Sequence, residues 1–118
     1  MKTEVSITIN GCAWLVSKVD AHSPGLMVGE SECRGTCWSG TSSIYLSNEL
    51  TRVTAPRVIR HELAHAWIWA TQAVIPETWS EEDVCEIIGI YAQDIVDAAN
   101  FILNRLWPGG CACENSGI

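Results

Sequence analysis

The spacing of apolar residues changes near residue 54, and this change limits the folds that the chain can adopt. Apolar and polar side chains alternate in residues 4–9, which is the pattern of a half-buried strand. After residue 54, apolar side chains recur every three or four positions, which is the period of an amphipathic helix. Strands followed by helices predict an α+β domain, in which a small antiparallel or mixed sheet of about three strands precedes two long helices.

The strand signals lie in the first part of the chain. Asn10-Gly11 is a strong hairpin-turn dipeptide, so residues 4–9 and 13–19 are expected to pair as a hairpin. Residues 43–47 form a third candidate strand. The Gly-, Ser-, Thr- and Cys-rich segment between the hairpin and this strand is interpreted as loops and turns around short strands.

Two helices are expected in the second part. An apolar stripe predicts the first helix, with Thr51 or Thr54 as its cap and Pro76 as its stop. Ser80 and Asp83 form a weak capping box at the start of the second helix. Its buried face is expected to contain Val84, Ile87, Ile88, Tyr91, Ile95, Ala98 and Ile102. The chain is thus interpreted as one domain, 1–118, divided into strands and loops (1–50), a first helix (51–75), a second helix (80–107) and a cysteine-containing tail (108–118).

The charge is acidic and unevenly distributed. The chain has 14 acidic and 7 basic residues, and all but one of the basic residues lie in residues 1–60. This balance disfavours nucleic acid and a polybasic membrane contact as partners. The N-terminus lacks the pattern of a signal peptide, and the longest apolar stretch is too short to span a bilayer, so a cytoplasmic location is expected.

One segment of the first predicted helix carries a chemical signal, His61-Glu62-Leu63-Ala64-His65. Side chains four residues apart on a helix lie about 5–6 Å from each other, so both imidazoles can bind one zinc ion at about 2.0–2.1 Å. Glu62 is then placed to accept a proton from a zinc-bound water. The spacing predicts that His61 and His65 are metal ligands and that Glu62 is the catalytic base.

The surroundings of the two histidines favour an enclosed site. At 100° per residue, they fall opposite the apolar stripe of their own helix, so they are not core histidines of that stripe. Their own face is flanked by Val58, Ile68 and Trp69, which are expected to wall the site. An ordinary solvated face would carry more Lys and Glu.

A third protein ligand is needed to leave the fourth position for water. Glu81, Glu82 and Glu86 of the second helix are candidates, and the spacing favours Glu82 with Glu86 as its alternative. Acidic residues at a helix start also serve only as dipole and cap charges, so spacing alone leaves the assignment open.

The motif and the helix after it resemble the gluzincin zinc metallopeptidases. The run Glu82-Asp83-Val84-Cys85-Glu86-Ile87-Ile88-Gly89 looks like the gluzincin second helix. The resemblance implies that Glu82 is the third zinc ligand and that Glu86 orients a zinc-bound histidine. Such an outer carboxylate fixes the imidazole tautomer and raises its basicity.

A closer resemblance is to small phage and prophage HExxH proteins of Gram-positive bacteria, which look like minimal relatives of the ImmA/IrrE-type metallopeptidases. It covers most of residues 1–106 and is carried by Cys33-Arg34-Gly35-Thr36-Cys37, Ile44-Tyr45-Leu46 and Arg60-His61-Glu62-Leu63-Ala64-His65-Ala66. It implies a zinc metallopeptidase that cleaves a peptide or protein, for example a specific phage or host regulatory protein.

The zincin resemblance also implies an extended substrate and an oxyanion donor. An extended substrate pairs with an edge strand beside the active helix, for which Ser43–Ser47 is the candidate. Tyr45 and Tyr91 are candidates for an oxyanion donor in addition to the metal. The alternative function is a non-catalytic zinc-binding interaction module of a mobile element, and Glu62 separates the two because a structural zinc site needs no carboxylate beside its ligands.

The six cysteines allow several states. Cys33, Cys37, Cys111 and Cys113 are candidates for a second, structural zinc site, and disulfides or plain thiols are the alternatives. Cys12 and Cys85 are expected to be small apolar core residues. The oligomeric state is left open.

Overall fold

The computed structural model describes residues 3–70, 78 and 80–109. The strands are β1 (Glu4–Ile9), β2 (Cys12–Val19), β3 (Met27–Val28), β4 (Ser31–Glu32), β5 (Gly35–Trp38) and β6 (Ser43–Ser47), and the helices are α1 (Ala55–Ala70) and α2 (Glu81–Leu106). A four-stranded mixed sheet, a two-stranded ribbon and the two helices confirm the α+β prediction. The predicted tail from residue 110 and the predicted end of the first helix, 71–75, lie outside the described residues.

The four-stranded sheet has the order β1-β2-β6-β5. The predicted hairpin joins β1 and β2, and both Asn10 and Gly11 have the positive φ that a two-residue hairpin turn of type I′ requires. β6 is parallel to β2 and antiparallel to β5. Gly35–Trp38 therefore forms the fourth strand, in a segment that the sequence analysis did not assign to a strand of the sheet.

The position of β6 overturns the expectation that Ser43–Ser47 is an edge strand. β6 lies between β2 and β5, so both of its edges are paired within the sheet. β5 is the edge strand on this side of the sheet, and it packs against α1. Among the described strands, the unpaired edge on this side of the sheet therefore belongs to β5.

The core lies between one face of the sheet, the buried stripe of α1 and the last turns of α2. Ile44 and Leu46 of β6 meet Ile59 and Leu63 of α1 in one cluster of buried side chains. The members of this cluster that come from α2 and the residue after it are Ala99, Ile102, Leu106 and Trp107. Cys12 and Cys85 are exposed rather than core residues, which corrects that expectation.

The first half of α2 extends beyond this core. The capping box at its start is confirmed, since Asp83 N–H donates to Ser80 Oγ and Ser80 N–H donates to the Asp83 carboxylate. Val84 and Ile88, however, are 45% and 59% exposed, so the predicted buried face is wrong for these first turns. At 26 residues α2 is about 39 Å long, against about 24 Å for the 16 residues of α1. Neither helix is long and apolar enough to cross a membrane within the described ranges.

Candidate metal centre

α1 brings His61 and His65 together on the side of the helix that faces away from the core. Their ring centres are 5.0 Å apart and their planes meet at 72°. Two imidazoles that share one tetrahedral zinc ion at about 2.0–2.1 Å have ring centres about 5 Å apart. Both side chains are exposed, while Ile59 and Leu63 of the same helix are buried. The histidine pair therefore fits a zinc ion that is reached from solvent.

Glu62 lies between the helix and the edge strand and is only 7% exposed. It faces Gly35 of β5, where an added Cβ would lie 3.1 Å from Glu62 Cγ and 2.6 Å from Val58 Cγ1. Only a residue without a side chain allows α1 and β5 to approach this closely. Gly35 has no assigned role in the sequence-based predictions, although a glycine inside a strand is a signal of close approach.

The burial of Glu62 changes its acidity. Desolvation raises the pKa of this carboxyl group above its ordinary value, and the nearby His61 and His65 act in the opposite direction. A carboxyl group with a raised pKa holds a proton more readily near neutral pH than an exposed glutamate does. Glu62 is therefore suited to take up and return a proton.

His61, Glu62 and His65 line a cleft of about 570 Å³ between α1 and β5. Its walls are largely apolar, and the hydrogen bond from Trp38 Nε1 to Gly25 O at 2.9 Å fixes one of them. The cleft is lined by Val28, Cys33, Gly35, Thr36, Cys37, Trp38, Ser39, His61, Glu62, His65, Ile68 and Trp69. The predicted flanking residues Ile68 and Trp69 are thus where the helical projection placed them, while Val58 lines a smaller adjoining cavity.

The edge of β5 presents free backbone groups beside this cleft. Ser47 N–H donates to Arg34 O at 2.9 Å, and β5 and β6 pair in antiparallel register. In such a ladder, alternate residues direct their N–H and C=O groups toward the neighbouring strand and away from it. Gly35 and Cys37 therefore direct theirs to the outer edge, where Cys33 N–H, at the preceding outward position, already donates to Leu26 O.

Two cysteines of the proposed second zinc site line this same cleft, Cys33 and Cys37. Burial, together with the nearby charge of Glu62, raises the pKa of the Cys37 thiol to about 11. Without a metal, this thiol is protonated at neutral pH. Cys111 and Cys113 lie outside the described residues, so the four-cysteine site stays a prediction.

Among the residues that the structure describes, no third ligand lies beside the histidine pair. Within residues 3–70, 78 and 80–109, no group of three or more His, Cys, Asp and Glu side chains is arranged to hold a metal ion. Glu82 and Glu86 are exposed on the early turns of α2 and do not line the cleft. His61, Glu62 and His65 are therefore brought together, whereas the roles of Glu82 and Glu86 stay predictions.

Neither tyrosine proposed as an oxyanion donor lines the cleft. Tyr45 packs against Gly25, and an added Cβ on that glycine would lie 2.8 Å from the tyrosine ring. Its partner across the strands, Thr36, bonds to the same Gly25 segment, so Tyr45 belongs to the sheet face that turns away from α1. Tyr91 lines a separate cavity with Trp67 and Asp94.

Comparison of the chain with protein-family models, with curated proteins and with solved structures finds no match.

Proposed function

We propose that this chain is a zinc-dependent metallopeptidase that hydrolyses peptide bonds in the cleft between α1 and β5. The observation that carries the proposal is the buried carboxylate of Glu62 beside two exposed imidazoles whose ring centres are 5.0 Å apart. A purely structural zinc site has no need of a carboxylate next to its ligands. An open cleft beside the three residues gives a substrate access to them.

The motif residues have separate tasks. His61 and His65 hold the zinc ion, with Glu82 as the proposed third ligand and Glu86 as the residue that orients a histidine. When bound, zinc supplies Lewis acidity and a water of lowered pKa. Glu62 takes a proton from the attacking water as the water oxygen bonds to the carbonyl carbon. It returns that proton to the amine nitrogen when the carbon–nitrogen bond breaks.

The substrate is proposed to bind as an extended peptide along β5. The outward N–H and C=O groups of Gly35 and Cys37 can bond to the backbone of such a peptide, because strand addition uses main-chain groups and demands little of the sequence. A specific regulatory protein of a phage or its host, met in the cytoplasm, is the proposed natural substrate. The resemblance to phage HExxH proteins supports this part of the proposal.

The test measures zinc content and cleavage on the same variants. Wild-type protein is expected to hold about one zinc ion by elemental analysis, and His61→Ala is expected to lose it. His22→Ala is the matched control, because His22 is the remaining histidine and contacts Glu32 instead of the cleft. Glu62→Gln is expected to keep the metal and to lose cleavage of a mixture of synthetic peptides.

The outcomes separate the two candidate functions. Wild-type protein without zinc would refute both. Zinc-loaded protein in which Glu62→Gln cleaves as well as wild type would refute Glu62 as the base. Zinc-loaded wild-type protein that cleaves nothing would favour the non-catalytic binding module.

A further inference from the structure

A second cavity continues the cleft past the candidate centre. It has a volume of about 330 Å³ and shares Gly35, His61 and Glu62 with the larger cleft. Its other lining residues are Arg34, Arg57 and Val58. The centre therefore lies between one end that contains two arginines and another end that is largely apolar.

These two arginines, like Arg60, differ from the three other basic residues of the described chain, whose side chains are engaged. Lys18 Nζ donates to Leu106 O at 2.8 Å, Arg52 donates to Asn104 Oδ1 at 2.8 Å, and Arg105 stacks on Phe101 at 4.5 Å.

Arg34 and Arg57 are exposed, and their side chains form no hydrogen bond or ion pair with another described residue. The chain has a formal charge of -7, so a pair of uncompensated cations at one end of a cleft is unusual for this molecule. Their charge is available to a ligand in that cavity.

The opposite end offers apolar surface. Val28, Trp38, Ile68 and Trp69 line it, and among the described lining residues the only ionisable side chains are those of the motif and the two cysteines. Val28, Trp38 and Trp69 are exposed. Partly exposed aromatic side chains at a concave surface are typical of sites that bind an apolar group.

The two ends and the centre follow one row of side chains along α1. Arg57, His61, His65 and Trp69 are spaced at intervals of four residues, so each is a neighbour of the next on the helix surface, and the row turns by about 40° at each step. The distance from Arg57 to Trp69 along the helix axis is about 18 Å. An extended peptide rises about 3.3 Å per residue, so five or six of its residues would span the row.

We infer that the cleft selects peptides with a carboxylate on one side of the cleaved bond and an apolar side chain on the other. The carboxylate lies within about three residues of that bond, because the centre divides the row of about 18 Å in two. An Asp or Glu side chain and a free C-terminus both supply this group. The inference rests on the proposed function, since it names the substrate class of the same site.

The first experiment reads the cleavage sites of wild-type protein in a mixture of synthetic peptides by mass spectrometry. Acidic residues are expected on one side of the cleaved bond only and apolar residues on the other. In Arg34→Gln/Arg57→Gln, the preference for acidic residues is expected to fall about fivefold, which corresponds to the free energy of a partly exposed ion pair. The preference for apolar residues is expected to stay. The acidic preference of wild type is also expected to weaken as salt rises.

The matched control is Arg60→Gln/Arg105→Gln, which removes the same charge. Arg60 is exposed on α1 but does not line either cavity, and Arg105 lies on α2. This control is expected to keep the acidic preference. Cleavage that favours neither acidic residues on one side of the bond nor bonds within about three residues of a free C-terminus would overturn the inference. The same preference in both double variants would also overturn it.

A binding experiment separates this inference from the proposed function. Zinc-loaded Glu62→Gln protein is titrated with fluorescent peptides that differ by Glu or Gln at one position, and with each peptide as a free acid or an amide. The Glu peptide or the free acid is expected to bind about fivefold more tightly than its neutral partner, and the stronger of the two identifies the source of the carboxylate. Equal affinities within both pairs would overturn charge selection even if cleavage is found. Tighter binding of the acidic probe by this variant, together with no cleavage of any peptide by zinc-loaded wild-type protein, would support charge selection and favour the non-catalytic binding module.

Discussion

At the residue scale, Gly35 is the position on which the geometry of the site depends most. In Gly35→Ala, the new Cβ would lie 2.6 Å from Val58 Cγ1, closer than real Cβ contacts allow, so α1 has to move away from β5. We expect a loss of about 1–3 kcal/mol in the free energy of unfolding, the usual cost of overpacking. Urea denaturation followed by fluorescence measures it. Zinc affinity is also expected to fall, because Glu62 and the histidines share the displaced helix.

Two further variants test whether crowding at position 35 causes the loss of stability in Gly35→Ala. Gly40→Ala is the matched control, because an added Cβ there has no atom within 4 Å, and its stability is expected to stay close to wild type. Gly35→Ala/Val58→Ala makes room for the new methyl group and is expected to recover part of the stability lost by Gly35→Ala. Unchanged stability of Gly35→Ala, or no coupling between the two positions, would contradict this account.

At the scale of elements, zinc binding by Glu82 requires the early turns of α2 to move toward the cleft. In the structure, Glu82 is not grouped with the histidine pair, and Val84 and Ile88 of the same turns are exposed. We expect zinc to slow amide hydrogen exchange in residues 81–92 and to leave β1 and β2 unaffected. Hydrogen exchange with mass spectrometry, with and without zinc, measures this effect.

The glutamates of the same turn supply the controls for this prediction. Glu82→Gln is expected to abolish the zinc-dependent slowing and to weaken zinc binding, because it removes a charged ligand. Glu81→Gln removes the same charge from the neighbouring position and is expected to behave as wild type. Bound zinc with no change of exchange in these turns would refute Glu82 as a ligand.

The elements predicted from sequence are those with local signals. The β1–β2 hairpin follows from Asn10-Gly11, the start of α2 from Ser80 and Asp83, and the face of α1 that carries the histidines from the helical period. β5 has no apolar alternation, and only its pairing with β6 makes it a strand. The exposure of early α2 is also non-local, because the period of a helix shows which side is apolar but not which of its turns are covered by other elements.

At the scale of the whole molecule, the charge at the cleft differs from the net charge of the chain. The net negative charge disfavours nucleic acid as a partner, yet the unpaired cations of the described chain include two beside the candidate centre. A net charge describes the field at a distance, whereas a ligand in the cleft meets the charges of Arg34 and Arg57 at close range. Selection of a carboxylate is therefore compatible with an acidic protein.

Zinc is also expected to stabilise the entire fold, because its ligands come together only in the folded chain. Free zinc at about 100 times its Kd adds about 2.7 kcal/mol to the free energy of unfolding, which corresponds to a rise in Tm of roughly 10 °C for a domain of this size. Scanning calorimetry of chelator-treated and zinc-loaded protein measures the rise. His61→Ala is expected to show no zinc-dependent shift, whereas His22→Ala keeps it. A wild-type Tm that does not respond to zinc would mean that the histidine pair binds no metal, since no ligand can bind the folded state alone without raising Tm.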